Sequence, residues 1–302
     1  MTTVSVRAPA KVNLTLHITG QREDGYHLLD SLVVFAPVHD RLIIQDGNAL
    51  SLTVEGPEAA GVPADMKNLA LRAAELVADG KGASLVLEKN IPPASGVGGG
   101  SADAAAALRG MMGRNDDLQA EDWVPPSDAE LKPLAEKILA LGADVPMCLL
   151  SKPCRARGIG EKLEFVALPK VPALLVNPRV PVSTAAVFGG LRMRENAPMP
   201  DVLPEFDAAG ALIGWLKSQR NDLEAPAIAA APVIGEVLEV LSGLPGCGLA
   251  RMSGSGATCF ALFEDGEAAI AAGRKLHDAY PDWWLAGGEL GDQLGLAAPV
   301  IS

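Results

Sequence analysis

Three stretches of this sequence hold residue types that could do chemistry together. The first is Pro92-Pro93-Ala94-Ser95-Gly96-Val97-Gly98-Gly99-Gly100-Ser101-Ala102-Asp103, followed by an alanine run. Its glycines allow positive φ and let backbone approach a ligand with no side chain in the way. Ser101 is a good N-cap for the helix that follows, whose free N–H groups carry the positive end of the helix dipole. An N–H-rich loop running into a helix start is a phosphate-binding arrangement. The Ser101 hydroxyl could serve a phosphate or a magnesium ion. A plain flexible loop before a helix accounts for the glycines equally well. Two familiar nucleotide loops are excluded by spelling. A Walker A loop needs Lys and then Ser or Thr after its last glycine, and a dinucleotide fingerprint needs a glycine where Ser101 stands.

The second stretch is Pro9-Ala10-Lys11-Val12-Asn13-Leu14-Thr15-Leu16. The period of a strand puts Lys11 and Asn13 on one face and Val12, Leu14 and Leu16 on the other. The third is Leu141-Gly142-Ala143-Asp144-Val145-Pro146, where Asp144 follows a helix end marked by Gly142 and precedes apolar residues. A carboxylate buried there must be paired or hydrogen-bonded. A lysine would meet that need, and a structural Asp capping a turn is equally compatible. Ser253-Gly254-Ser255-Gly256-Ala257 adds a second small-residue loop, whose backbone can pass close to a ligand or to the first loop. No GxSxG hydrolase elbow is spelled at Ser101, Ser253 or Ser255.

The elements that must position these residues begin β-rich. Alternation at Val4/Val6 and at Val12/Leu14/Leu16, then Leu32–Phe35, Leu42–Ile44, Leu50–Val54 and Gly82–Leu87, reads as strands. Helical spacing covers Asn68–Ala78, Ser101–Met112, Leu131–Leu141, Val233–Leu241 and Glu267–His277. Ala173–Val176 and Leu249–Phe263 read as strand, and prolines from Pro178 to Pro204 mark irregular connections. Strands in one block and helices in another predict an α+β fold, with a domain boundary near residue 165.

At 302 residues the chain is long enough for two cores. A formal charge of -12 argues against a nucleic-acid partner, because phosphate backbones are bound by surplus Lys and Arg. A local cluster of donors can still serve a small phosphorylated molecule. No run of eighteen apolar residues offers a membrane span, and no basic-then-apolar leader opens the chain, so a cytoplasmic setting is expected. The four scattered cysteines, without a CxxC pair, read as free thiols rather than metal ligands or disulfides.

Taken together, Pro9–Asn13, Pro92–Ala107 and Ser253–Ala257 resemble the motifs of the GHMP kinases, the superfamily of galacto-, homoserine, mevalonate and phosphomevalonate kinases. The likeness runs the length of the chain. Gly20-Gln21-Arg22-Glu23-Asp24-Gly25-Tyr26-His27, Leu141–Pro146 and Arg220-Asn221-Asp222-Leu223-Glu224 look like one branch of it. That branch acts on a cytidine-diphosphate-linked polyol in the non-mevalonate route to isoprenoid precursors, at the polyol's 2-hydroxyl.

The resemblance implies an N-terminal domain like domain 2 of ribosomal protein S5 and a ferredoxin-like C-terminal domain, with residues 1–165 and 166–302 meeting at a cleft. It implies ATP and Mg2+, with Asp144 taking the substrate hydroxyl's proton and Lys11 keeping Asp144 ionised. Asn13 stands beside them. Pro92, Ser95, Gly96, Val97, Gly98, Gly99, Gly100, Ser101 and Ala102 match the ATP-phosphate loop, Asn68 and Lys89 match positions near the adenine, and Ser101 is the one metal ligand suggested. Tyr26 and Phe188 match an aromatic pair that stacks on cytosine, His27 reads its polar edge, and Thr184 matches a position nearer the polyol. Core packing is the other reading of Phe188.

One departure is that Pro93, Ala94 and Ser95 replace a further glycine-rich turn of some relatives, and the separate magnesium-binding Glu of other members has no counterpart. The rival readings are another GHMP kinase, whose substrates have no nucleobase for Tyr26 and His27, a nicotinamide-dependent oxidoreductase using Gly96–Gly100 for a pyrophosphate, and a non-catalytic metabolite-binding relative.

Overall fold

The computed structural model describes residues 2–115 and 124–302. The chain opens with β1 (Thr3–Asn13), β2 (His17–Gln21), β3 (His27–Asp46), β4 (Ser51–Glu55), α1 (Leu69–Val77), β5 (Ala83–Glu88) and α2 (Gly99–Asn115). Short helices α3 (Asp128–Leu131), α4 (Ala135–Leu141) and α5 (Val145–Leu150) come next, followed by β6 (Cys154–Gly158) and β7 (Lys162–Phe165). The rest is β8 (Val171–Asn177), α6 (Thr184–Gly189), α7 (Ala209–Leu216), α8 (Glu224–Ala230), α9 (Val233–Ser242), β9 (Cys247–Met252), β10 (Cys259–Phe263), α10 (Gly266–Ala279), β11 (Trp284–Leu290), α11 (Leu294–Ala297) and β12 (Val300–Ile301).

Among the described residues these strands make two sheets. The first runs β12-β1-β3-β5-β4, with β2 and β6 also paired to β3 and β7 to β6. Its β4–β5 pair is parallel and its other pairs are antiparallel. The second runs β11-β8-β10-β9 and is antiparallel throughout. This is the expected α+β arrangement, and β12 carries the end of the chain back onto β1 at Val4 and Ser5.

The alternation of β1 explains how one strand serves two cores. Val4, Val6 and Ala8 are fully buried in the core shared with α1 and α2. Ala10, Val12 and Leu14 continue the same face into a second core that joins the two sheets and includes Leu175, Phe260 and Leu262. The change falls where the register passes from Pro9↔His39 to Lys11↔Phe35, so that β3 spends more residues than β1. A bulge of this kind bends the strands and re-aims side chains. Pro37 lies in the bulge, and Phe35 exchanges backbone hydrogen bonds with Gly291, just past β11, at 3.1 and 2.9 Å. A third core lies between the second sheet and α8, α9 and α10.

The alanine run of α2 lets this helix sink onto the sheet. Ala104–Ala107 are all fully buried, and a Cβ at Gly110 would stand 2.5 Å from Ile44 Cδ1 and 2.8 Å from Val6 Cγ2. Several boundaries differ from the sequence reading. Leu32–Phe35 and Leu42–Ile44 belong to the one long strand β3 rather than to two. The helix expected over Leu131–Leu141 is interrupted by a 3-10 turn at Lys132–Leu134, because Pro133 has no N–H to continue an α-helix. Leu249–Phe263 is two strands around the loop Ser253–Thr258. No helix of the described residues is long and apolar enough to cross a membrane.

Candidate active site

The central pair comes from opposite ends of the N-terminal block. Lys11 follows the point on β1 opposite the β3 bulge, and Asp144 sits at the junction of α4 and α5. Lys11 Nζ lies 3.3 Å from Asp144 Oδ2. The lysine side chain is 8 % exposed and the aspartate 35 %, so the carboxylate is not the fully buried group its apolar surroundings suggested. It faces an open cavity, where it can meet a ligand. Its side chain makes no cap to α5.

A hydrogen-bond chain fixes Lys11 from behind. Lys11 Nζ also donates to Asn13 Oδ1, Asn13 Nδ2 donates to Ser31 Oγ at 2.8 Å, and Ser31 donates to the Thr15 carbonyl at 2.5 Å. The two small-residue loops meet directly above this chain. Ser253 Oγ accepts from the Asn13 N–H and donates to the Gly96 carbonyl, both at 3.1 Å. Gly96 has φ +80°, and a Cβ there would come within 2.6 Å of the Ser253 carbonyl. A Cβ at Gly98, with φ +67°, would come within 2.7 Å of Lys11 Cγ. Glycine is required at both positions by conformation and by contact.

The loop enters α2 earlier than its sequence suggests. The helix starts at Gly99, and the Gly98 carbonyl accepts from the Ala102 N–H at 2.9 Å. Ser101 is therefore in the first turn and not the N-cap; the left-handed Gly98 ends the loop instead. The Ser101 side chain is left to face the cavity.

That cavity has a volume of about 1020 Å3. Lys11, Asn13, Tyr26, His27, Ser95, Gly96, Gly98, Gly99, Gly100, Ser101, Asp144, Thr184 and Phe188 all line it. Five other residues singled out from the sequence do not. Pro92 is buried off the wall, Val97 belongs to the core between the sheets, and Ala102 faces the α2 core. Asn68 is consumed as the N-cap of α1, its Oδ1 accepting from Ala70 N at 2.9 Å and its Nδ2 donating to Pro63 O at 2.8 Å.

Lys89 is 2 % exposed and pairs with Asp40 and, at 2.7 Å, with Asp103. A lone buried cation would be costly, and these carboxylates compensate it beneath the start of α2. Asp40 also accepts the N–H groups of Asn90 and Ile91. Asp103 Oδ1 has no partner, and burial together with the Asp40 charge pushes its pKa up to about 7.

On the far wall, His27 and Phe188 pack ring against ring at 4.9 Å, tilted by 31°. Tyr26, expected with Phe188 to flank a cytosine, lines the same cavity and is 61 % exposed. Phe188 is partly buried on α6 and borders both the cavity and the C-terminal core. His27 Nε2 is buried without a hydrogen-bond partner. Burial and the nearby Arg194 charge hold the His27 pKa below its ordinary value, so the ring is neutral near pH 7. A neutral ring carries one donor and one acceptor. Thr184 Oγ1 and Ser255 Oγ lie 2.9 Å apart, bridging α6 to the second glycine loop.

Several residues position others through partners that the sequence did not specify. Asn221 Nδ2 donates to the Met252 and Gly254 carbonyls at 2.8 and 2.9 Å, and so fixes the second glycine loop. Arg251 donates to the carbonyls of Leu14, Leu216 and Gln219. Arg220 and Asp222 flank His17, which is held neutral by burial and by the Arg220 charge. Leu16 N donates to Arg220 O at 2.9 Å, and Asp222 N to Leu16 O at 2.8 Å. The Arg220–Glu224 motif is thus a bracket that clamps the end of β1 to the C-terminal half.

Comparison with known proteins fits this geometry. Residues 68–152 match the family model "GHMP kinases N terminal domain" and residues 203–282 match "GHMP kinases C terminal". The chain belongs to the GHMP kinases. Its sequence is 56 % identical over 280 residues to a Dinoroseobacter shibae protein named 4-diphosphocytidyl-2-C-methyl-D-erythritol kinase, covering 92 % of each chain. A Cereibacter sphaeroides protein of the same name is 52 % identical over 280 residues, with 92 % and 96 % covered. A crystal structure of 4-(cytidine 5'-diphospho)-2C-methyl-D-erythritol kinase superposes with a TM-score of 0.71 at 33 % identity, covering 95 % of this chain and 99 % of that one. Homoserine kinase from Cytophaga hutchinsonii shares the fold, with a TM-score of 0.65 at 18 % identity over 99 % and 97 % of the two chains. Within the family, the chain is a member of the branch to which the first three of these proteins belong.

Proposed function

We infer that this protein is an ATP-dependent kinase acting on an alcohol. It phosphorylates the 2-hydroxyl of 4-diphosphocytidyl-2-C-methyl-D-erythritol, giving the 2-phosphate and ADP in the non-mevalonate supply of isoprenoid precursors. The observation that carries this reading is a single cavity, about 1020 Å3, with a Lys–Asp pair, two facing glycine loops and a neutral His27 against Phe188 on its walls. That volume is at the upper end for small-molecule sites and suits two nucleotide-bearing ligands.

In the mechanism we propose, N–H groups of the loop Gly96–Ser101 and the first turn of α2 hold the ATP phosphates. The substrate hydroxyl lies against Asp144, with Lys11 orienting both. The oxygen attacks the γ-phosphorus, the bond from that phosphorus to the β-bridging oxygen breaks, the hydroxyl proton passes to Asp144, and ADP leaves. Phosphoryl transfer goes through a loose transition state, so alignment and charge stabilisation do most of the catalysis. Magnesium would come with ATP. An ion held mainly by phosphates and water needs one or two protein oxygens, and the Ser101 hydroxyl on the cavity wall fits that modest role. Its charge would offset that of the phosphates. We place the domain boundary near residue 165, in the link from β7 to β8, and the reaction in the cytoplasm.

The cytosine would stack on Phe188 and Tyr26, with its polar edge on the neutral His27 ring. Stacking contributes roughly 1–3 kcal/mol per base by alanine substitution in nucleic-acid binders. Phe188→Ala and Tyr26→Ala are therefore expected to raise KM for the cytidine substrate about tenfold or more, leaving KM for ATP unchanged. Steady-state kinetics with each substrate varied in turn checks this. A fall in kcat at unaltered KM would remove these rings from substrate recognition.

A further inference from the structure

Arg109 lies on α2, on the helix that begins at the phosphate loop, and its side chain is fully buried. None of the ion pairs among the described residues includes it. Its guanidinium is satisfied by backbone alone. Nε donates to Ala297 O at 3.0 Å, Nη1 to Cys148 O at 2.7 Å and Leu149 O at 3.2 Å, and Nη2 to Arg7 O at 2.9 Å. Burial lowers its pKa to about 10, which leaves it a cation near neutral pH.

The identity of those four carbonyls gives the arrangement its meaning. Cys148 and Leu149 are in the last turn of α5, where carbonyls have no partner within the helix and a cation is favoured by the dipole. Asp144 is the residue from which α5 starts, and a six-residue helix is only about 9 Å long. A shift at one end of so short a rod is carried to the other. Arg7 is on β1, the strand that carries Lys11, and Arg109 shares its helix with Gly99–Ser101. One side chain therefore fastens together the three elements that bring the base, the lysine and the phosphate loop to the cavity. The Asp144 side chain does not cap α5; at the near end of that helix it reaches β1 through Lys11 at 3.3 Å, and at the far end Arg109 holds the last-turn carbonyls.

We propose that Arg109 is a positioning residue of the phosphoryl-transfer site, fixing α5 against β1 and α2 so that Asp144 is held beside Lys11. The inference rests on the reading of Asp144 as the group that aligns the substrate hydroxyl. Arg109→Lys keeps the cation, but a compact ammonium cannot span carbonyls on three elements. Arg109→Gln keeps a shorter planar donor and serves as a second variant.

The test is a cycle of wild type, Arg109→Lys, Asp144→Asn and the double variant, with Arg109→Gln carried through the same cycle. Kinetics are read below each variant's melting temperature. A misplacement of a fraction of an ångström is expected to lower kcat about tenfold in Arg109→Lys, with KM for ATP and for the cytidine substrate unchanged. Arg109→Gln should fall further. In the Asp144→Asn background neither change should lower kcat again, because residues acting through one another are not additive. An undiminished kcat in both variants, or the same fractional loss in both backgrounds, overturns the proposal and leaves Arg109 a stabilising residue only. Full activity in Asp144→Asn alone would overturn the reading of Asp144 instead.

Discussion

Asp144→Asn is expected to lower kcat by about 10²–10⁴-fold, the range typical of losing a positioned proton acceptor, while KM for ATP stays as it is. The substitution preserves the shape of the side chain and a hydrogen-bonding oxygen. It removes the charge that faces Lys11 at 3.3 Å and the group that would receive the hydroxyl proton. The glycine loop that would hold ATP is tied to Ser253 and to β1, not to Asp144, so nucleotide binding has no reason to weaken. Single-turnover measurements with saturating ATP separate the chemical step from product release. Undiminished turnover in this variant would take Asp144 out of the mechanism.

Gly98→Ala is the second change with a large expected effect, and it acts through Lys11. The left-handed backbone at φ +67° costs an alanine roughly 1–2 kcal/mol. The new Cβ would also stand 2.7 Å from Lys11 Cγ and 3.0 Å from its Cε. The lysine or the loop must move, and either shift spoils the alignment of phosphate and hydroxyl. We expect kcat/KM for ATP to fall by about 10²-fold, the cost of a displacement near 1 Å, with a lowered melting temperature. Wild-type kinetics in the folded variant would show that the loop and Lys11 are less tightly coupled than their contact implies.

How much of this was legible beforehand follows from what kind of residue was involved. Lys11, Asp144 and the glycines were legible because charge and missing side chains are visible in a sequence, and the fold does bring them to one cavity. The pairing of Lys89 was not legible because a lysine's partners are long-range. Asp40 and Asp103 reach it only once β3 and α2 are assembled. The N-cap role of Asn68 on α1 was likewise not legible, its Oδ1 accepting from Ala70 N and its Nδ2 donating to Pro63 O. The strand alternation of β1 was readable, whereas the bulge that splits its face between two cores depends on its pairing with β3. Ser253, Asn221 and Arg109 work through backbone carbonyls. Carbonyls carry no residue identity, so the motifs around Ser253 and Asn221 stood out without naming their partners, and nothing in the sequence pointed to Arg109.

The exposed Tyr26 has a related explanation. Family likeness set Tyr26 and Phe188 as the two rings for a cytosine; in the folded chain Phe188 is backed by His27 at 4.9 Å while Tyr26 is exposed. A base entering the cavity would meet Phe188 and His27 as a preformed wall, with Tyr26 at the rim.

The most direct test of the central claim is ADP release with magnesium and ATP, measured against 4-diphosphocytidyl-2-C-methyl-D-erythritol, mevalonate, homoserine and galactose in parallel. Turnover confined to the cytidine compound is the predicted result. Turnover of one of the other alcohols in its place would contradict the substrate assignment and the roles given to Tyr26, His27 and Phe188, and absence of turnover with all four would contradict the kinase itself.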